Sequence, residues 1–245
     1  MKRSLTFAAA ALLLATGCGQ THADSGAKTH PSTSGTPAVD SVGKCAETDP
    51  VIKQAPVVGR ADLDGDGSSE DVRRTVLDAN DCPDYLFARV GDRLVGAPLG
   101  QTSAPPDGLG TVKVPGRDSE LLVVRATHPR GGFETHLFGY ADGMLTEVRD
   151  GNGNPVVPFV ATDTRGGYVS ATCGDNAIVV RQAVTHTPPG VAFAWDIRET
   201  TYRLDGTTAT RAGRHEIKDN VLPQALTKSY PALVHRQMFK TGCAG

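Results

Sequence analysis

The sequence predicts an all-β fold built from antiparallel, blade-like repeats, with short helices near its C-terminal end. Only 5% of its 245 residues are aromatic, whereas 28 are glycine and 16 are proline, which indicates an aliphatic core and many turns. A weak repeat supports the same fold, because Phe138 follows Phe87, and Leu145 follows Leu94, by 51 residues in each case. We therefore expect each copy of the repeat to be a set of antiparallel strands.

The N-terminal segment, residues 1–17, has the features of an export signal. Two basic residues precede an apolar run, Leu5–Ala15, which is shorter than the roughly 20 residues that a membrane-spanning helix needs. The stretch Leu14–Cys18 resembles the lipobox of bacterial lipoproteins. This resemblance implies that Cys18 is lipidated and holds the exported chain on the outer face of the bacterial plasma membrane. The alternative is an ordinary secretory signal followed by an unmodified cysteine.

Residues 18–43 are predicted to be a flexible tether. They contain mainly small and polar residues and almost no bulky apolar side chain. Such a segment cannot bury enough apolar surface to offset the loss of chain entropy on folding. The folded domain is therefore expected to span residues 44–245.

Four cysteines follow the tether, and an even number in an exported chain predicts two disulfide bonds. We favour one bond between Cys45 and Cys82 and another between Cys173 and Cys243, because each would join neighbouring segments. The main alternative pairs Cys45 with Cys243 and ties the ends of the domain together. No two cysteines have C-x-x-C spacing, so neither redox catalysis nor a zinc ribbon is indicated.

An acidic loop between two predicted strands has the spacing of a calcium-binding site. Carboxylates recur at every second residue, and Gly67 follows at the sixth position, where a calcium loop turns sharply. An EF-hand would need glutamate at the twelfth position, which here is Arg73, and two flanking helices. Without a cation, the carboxylates would repel one another. The predicted ligands are Asp62, Asp64, Asp66, Ser68 through its backbone carbonyl, and Glu70.

The loop from Asp62 to Glu70, with the strand that follows, resembles the FG-GAP or VCBS repeat. In that family a calcium loop joins two strands of a β-propeller blade. The resemblance implies a degenerate β-propeller-like domain of about three blade-like units, with one Ca²⁺ that braces the structure. A structural role is expected, because the external medium holds enough calcium to fill even a weak site permanently.

The later copies of the repeat are expected to keep their strands and to lose the ion. Ser69–Arg74 recurs loosely as Ser119–Arg125 and again as Gly174–Arg181. The turn Val114–Asp118 stands where the first copy has its aspartates. Asp-Gly pairs within later hairpins, such as Asp142-Gly143, are strong turn signals.

The C-terminal segment is predicted to form two short helices that cap the sheet. Apolar residues recur at near-helical spacing between Asn220 and Phe239. Pro223 and Pro231 suit the first turn of a helix, which divides the segment into two helices.

The sequence excludes some functions more clearly than it identifies one. With 25 basic and 27 acidic residues the net charge is −2, so no nucleic-acid partner is expected. No catalytic motif is present, and we assign no catalytic residue. Trp195 is expected in the core, with a surface platform for sugar or peptide as the alternative.

The preferred hypothesis is a lipid-anchored binding or scaffolding protein. Its partners would be the membrane, through Cys18, and an unidentified protein or glycan at the cell surface. One alternative is an envelope hydrolase whose active site is built from loops, which a deep polar pocket with a perturbed histidine or carboxylate would favour. The other is an accessory structural lipoprotein without a small ligand.

Overall fold

A computed structural model describes residues 41–42, 45–75, 84–99, 106–128, 131–160, 167–187 and 193–243. Residues 39–245 form one compact unit. The predicted signal, the lipidation site Cys18, most of the tether and Cys82 lie outside the described residues. The last residues of the predicted tether include a short strand, Ser41–Val42, which pairs with Cys45–Ala46.

The described residues are mainly β-structure, arranged in three larger antiparallel sheets and one small hairpin. The hairpin is β1 (Ser41–Val42) and β2 (Cys45–Ala46), followed by α1 (Pro50–Lys53). The first sheet contains β3 (Val57–Ala61), β4 (Glu70–Arg74), β5 (Tyr85–Val90) and β6 (Arg93–Pro98). The second sheet contains β7 (Pro106–Lys113), β8 (Glu120–Thr127), β9 (Phe133–Ala141) and β10 (Met144–Glu147). The third sheet contains β11 (Arg149–Asp150), β12 (Tyr168–Gly174), β13 (Ala177–His186), β14 (Ala194–Asp205) and β15 (Thr208–Val221). Two helices, α2 (Pro223–Ser229) and α3 (Pro231–Val234), complete the domain.

The fold class predicted from the sequence is confirmed. The strands of the first two sheets lie side by side in chain order, and so do β12 to β15 in the third sheet. The one parallel pairing among the named strands joins β11 to β15. Both C-terminal helices begin at the prolines that predicted them, Pro223 and Pro231.

The second sheet lies between the other two and is buried on both faces. Alternate residues of β8 point in opposite directions, as in any strand. Leu121 packs against the third sheet, whereas Leu122 and Val124 pack against the first sheet. This explains why β8 has a continuous apolar run instead of an alternating pattern.

Helices cover the outer faces of the stack. On the first sheet, Ile52 of α1 packs near Phe87. On the third sheet, Leu226 of α2 and Leu233 of α3 pack against Trp195, which is only 2% exposed. Trp195 therefore belongs to the core, as predicted, and the C-terminal helices cap the stack.

The hairpins of the first two sheets repeat with an offset of 51 residues, β3–β4 as β7–β8 and β5–β6 as β9–β10. The register between the two hairpins of each sheet, by contrast, differs by two residues. Ala61 pairs with Glu70 in the first sheet, and Val112 pairs with Leu121 in the second. The structural equivalent of Glu70 is therefore Leu121. The recurrence of Ser-Glu at 119–120 aligns Glu70 with Glu120 instead, one residue away, and in a strand this difference exchanges the two faces of the sheet.

Candidate metal centre

The acidic loop joins β3 to β4 within the first sheet, as the sequence predicts. Carboxylate oxygens of Asp62, Asp64 and Glu70 all lie within 4.8 Å of one another. Asp62 follows the last residue of β3, and Glu70 is the first residue of β4, so the hairpin register itself brings them together. Asp62, Asp64 and Glu70 form an acidic triad that can bind a metal ion.

Backbone amides of the loop point at its own carboxylates. Asp62 Oδ1 accepts a hydrogen bond from Gly65 N at 2.8 Å, and Asp62 Oδ2 accepts one from Gly67 N at 3.2 Å. At the other end, Glu70 Oε2 accepts one from Leu63 N at 2.8 Å. These bonds curl the chain around the triad, and Leu63, which is fully buried, anchors the curl in the core.

Two glycines make this curl possible. Gly65 and Gly67 have φ values of +82° and +89°, in the region that favours glycine. A Cβ atom on Gly65 would lie only 2.9 Å from Cβ of Asp118, in the connection between β7 and β8. A Cβ atom on Gly67 would meet no atom within 4 Å. Gly65 therefore serves close packing between the first two sheets as well as the turn.

The pKa of Glu70 is raised, first because burial disfavours its charged form and then because Asp64 and Asp66 lie nearby. The hydrogen bond from Leu63 N acts in the opposite direction and does not outweigh these effects. A cation in the triad would favour the charged form of Glu70. The electrostatics of the loop thus suit a bound cation.

One of the five predicted ligands, Asp66, is not part of the triad. Asp66 is outside the group of oxygens within 4.8 Å, and its Oδ1 accepts a hydrogen bond from Ser68 N at 2.7 Å. This short-range bond holds the turn at the tip of the loop, which is exposed. The structure therefore brings together Asp62, Asp64 and Glu70, and Asp66 is exposed at the tip of the loop. The backbone carbonyl of Ser68 stays a predicted ligand.

The second sheet contacts the base of the loop through residues that the sequence analysis missed. Glu120 N donates to Asp62 O at 2.7 Å, and Glu120 Oε2 accepts from Asp62 N at 2.9 Å. Lys113 Nζ lies 3.9 Å from Asp62 Oδ2. Residues 50 to 60 positions apart make these contacts, so no local pattern could have revealed them. The only signal was the recurrence of Ser-Glu at 119–120.

A second polar cluster lies on the second sheet. His136 Nδ1 is 2.7 Å from Glu147 Oε1, and His136 Nε2 is 3.3 Å from Glu134 Oε2. The hydrogen bond with Glu147 raises the pKa of His136 more than burial lowers it. Burial alone would raise the pKa of Glu147. The interactions with His136 and Arg149 lower this pKa by more than burial raises it, so the net shift is downward. His136 thus links Glu134 of its own strand, β9, to Glu147 of β10, and this cluster stabilises the pairing of the two strands.

A cleft lies beside α1 on the outer face of the first sheet. It has a volume of about 370 Å³. Basic and acidic groups line it around an apolar floor, and His136 is not among them. The lining residues are Glu47, Ile52, Lys53, Asp71, Arg73, Phe87, Ala88, Arg89 and Leu94.

Cys173 and Cys243 form a disulfide bond, which is one of the two pairs that the sequence favoured. The bond attaches the end of the chain to β12, where Ala171 also forms a bridge with Met238. Cys45 is disulfide-bonded as well, and its predicted partner, Cys82, lies outside the described residues.

Among the described residues, no helix is both long enough and apolar enough to cross a membrane. Comparisons with known protein families, with curated proteins and with solved structures find no match to this chain.

Proposed function

We propose that this protein is an exported, lipid-anchored β domain that binds a partner at the cell surface and is braced by one Ca²⁺ in the loop Asp62–Glu70. The observation that carries the proposal is the meeting of three carboxylates on a strand connection. Hard oxygen ligands of this kind suit Ca²⁺, which takes six to eight of them. The lipobox-like segment at Cys18 supports the location, and the absence of any recognised catalytic motif supports binding over catalysis.

The bound ion would act as a brace between two sheets. Asp62 offers its carboxylate to the triad, while its backbone N and O are both held by Glu120 of the second sheet. A cation that restrains Asp62 would therefore also stabilise the contact between the first and second sheets at Glu120. Asp62, Asp64 and Glu70 would hold the ion, which supplies positive charge and restrains the loop.

The cleft beside α1 is the surface that best suits a partner. Its rim carries both signs of charge, with Lys53 and Arg73 near Asp71, and its floor includes Phe87. An apolar floor with convergent polar groups is typical of ligand-binding sites. This supports an unidentified protein or glycan as the partner.

Calcium binding is tested by thermal unfolding of the exported chain in excess Ca²⁺ and in chelator. At a free concentration of about 100 times Kd, binding adds about 2.7 kcal/mol, which for a domain of this size raises Tm by about 5–10 °C. Asp64→Ala should abolish this rise, whereas Asp92→Ala, at an exposed turn outside the triad, should preserve it. An equal Tm with and without Ca²⁺ in the wild type would refute the calcium brace.

Lipid anchoring is tested separately by replacing Cys18 with serine. The wild-type chain should sediment with membranes, and Cys18→Ser should release it, because a lipid chain on the cysteine supplies the membrane affinity. Fractionation of cells that express each form measures this. If Cys18→Ser stays with the membranes to the same extent as the wild type, the lipoprotein assignment is wrong, whatever the result with calcium.

A further inference from the structure

The last strand of the third sheet presents a long edge to solvent. β15 pairs with β14 along its length, but on its other side it pairs with β11 only at Thr208 and Ala209. Every residue from 210 to 220 is exposed. Such an edge offers unpaired backbone N–H and C=O groups to another strand.

Irregularities limit how another strand can add to this edge. The register with β14 shifts at Ala212, at Ile217 and a third time between Lys218 and Val221, and β15 has one extra residue at each point. The first two of these bulges enclose a regular stretch. Between these two bulges, Gly213–Glu216 pairs regularly with β14. Bulges of this kind prevent indiscriminate pairing, and they leave one short regular stretch centred near His215.

The charges on one face of this edge follow a two-block pattern. Three charged residues of β15 lie opposite alternate residues of β14 and therefore share one face of the sheet. They are Arg211 opposite Tyr202, Arg214 opposite Thr200, and Glu216 opposite Arg198. The next position on that face, opposite Asp196, falls at Asp219–Asn220. Along the strand, two basic side chains thus precede two acidic ones.

We propose that the occupant of this edge is a second copy of the chain, paired antiparallel about a two-fold axis through His215. In that register Arg214 faces Glu216 of the second copy, and Arg211 lies opposite Asp219. Because the two-fold axis repeats each pair, four opposite-charge pairs form. One extra residue lies on each side of His215, Ala212 on one side and Ile217 on the other, so Arg211 and Asp219 both fall three ladder positions from the axis.

Neighbouring registers are unfavourable. An axis through Arg214 would place the two Arg214 side chains opposite one another, and an axis through Glu216 would do the same for the two glutamates. Directly opposed like charges destabilise a strand pair. In the described part of the chain, Arg211 and Arg214 form no ion pair within 4.0 Å, and the charge of Arg211 acts on Asp150 of β11 only at longer range.

The paired edges would join two five-stranded sheets into one continuous sheet. Glu216 lies 4.0 Å from Arg198, and His215 lies 3.4 Å from Glu199. The opposite-charge pairs between the two copies would therefore continue the ion pairs that already link β14 to β15 within each copy. This pairing is independent of calcium and of the surface partner, although an anchor at Cys18 would raise the effective concentration of the two copies.

The register is tested by cysteine cross-linking of the full chain in intact cells with a short thiol cross-linker. His215→Cys should cross-link to itself and form a dimer. Arg211→Cys alone should not, because the two copies of residue 211 lie about 20 Å apart at about 3.3 Å per ladder position. Co-expression of Arg211→Cys with Asp219→Cys should restore the cross-link. Equal self-cross-linking at positions 211 and 215, or none at any position, would overturn the proposal.

The charge pattern is tested in the His215→Cys background. Arg214→Glu should lower the dimer association constant about tenfold, since two favourable pairs become two repulsive ones. Glu216→Arg should do the same, and the double variant should restore cross-linking to the starting level. Lys228→Glu, an exposed charge reversal on α2, is the matched control and should have no effect. Failure of the double variant to restore the dimer would refute this register, and chelation of calcium should change none of these results.

Discussion

The connection in the first sheet and the equivalent connection in the second share a backbone frame and differ in chemistry. The segments between the equivalent pairs Ala61–Glu70 and Val112–Leu121 are equally long, although β7 and β8 pair one residue further, at Lys113 and Glu120. Gly65 and Gly116, 51 residues apart, both have φ of +82°. In each, a backbone carbonyl accepts a hydrogen bond from the next sheet, at 2.7 Å for Asp62 and 2.6 Å for Pro115. The first connection carries Asp62, Asp64, Asp66 and Glu70 where the second has Lys113, Pro115, Arg117 and Leu121.

The second connection replaces the acidic cluster with cationic and apolar groups. Arg117 Nη1 donates to Gly206 O at 3.1 Å, and Lys113 donates to Asp118 O. Burial lowers the pKa of the Arg117 guanidinium. The contact between successive sheets is therefore a property of the repeat, whereas the acidic triad is a local addition to one copy of it.

The shared frame predicts that both glycines are sensitive, Gly65 the more so because a Cβ atom there would meet Cβ and backbone atoms, whereas one on Gly116 would first meet the Asp175 Oδ1 atom, which can move. Gly65→Ala and Gly116→Ala should each destabilise the domain by about 2–4 kcal/mol, because a left-handed φ costs about 1–2 kcal/mol and steric conflict with the next sheet adds to it. Gly67→Ala has a similar φ but open space, so it should cost only about 1–2 kcal/mol. Urea unfolding of the three variants measures this. Equal losses at Gly65 and Gly67 would show that packing against Asp118 is unimportant.

The contact between sheets predicts a role for Glu120. Glu120→Ala should cost about 1.5–3 kcal/mol, because Asp62 N loses a charged acceptor in a partly buried position. Glu120→Gln keeps an acceptor and should cost less. Urea unfolding in chelator separates this effect from calcium binding. A loss for Glu120→Ala that appears only when Ca²⁺ is present would place its role in the metal site instead of the sheet contact.

The smallest expected effect concerns the contact of His136 with Glu147 in the second sheet, which has no equivalent at Tyr85 and Gly96 of the first sheet. His136 and Glu147 lie at the positions of Tyr85 and Gly96 in the first sheet. Because the folded state raises the pKa of His136, its contribution is complete below its unfolded pKa of about 6.5 and is lost as pH rises through the folded pKa. Because the pKa of Glu147 is lowered, its contribution is present above its unfolded pKa of about 4.3 and is lost in stronger acid.

His136→Gln should therefore cost about 1 kcal/mol near pH 5.5, and the difference from the wild type should shrink toward pH 9. Thermal unfolding of both chains across this pH range measures the difference. His128→Gln provides a histidine control outside the cluster. A difference that stays constant from pH 5.5 to pH 9 would show that the charge on His136 does not contribute.

Local chemistry explains why much of the fold could be predicted from the sequence. Alternation of apolar residues and Asp-Gly turns act within a hairpin, and the prolines at 223 and 231 each start a helix regardless of what lies nearby. The acidic triad was predictable for the same reason, since one hairpin supplies Asp62, Asp64 and Glu70. The spacing did not predict that the Asp66 side chain turns back to Ser68 N, because an aspartate in a turn can satisfy its own backbone.

The sequence by itself determined the hairpins, the 51-residue repeat, the acidic loop and the short final helices, because each depends on residues close together in the chain. Only the tertiary structure decided that Glu70 corresponds to Leu121 and not to Glu120, that Glu120 hydrogen-bonds to Asp62, and that the edge of β15 is exposed. Those features depend on which sheet faces lie together, and that choice is made by apolar burial on both faces of the second sheet. Burial sums over residues far apart in the chain, so a local pattern does not contain it.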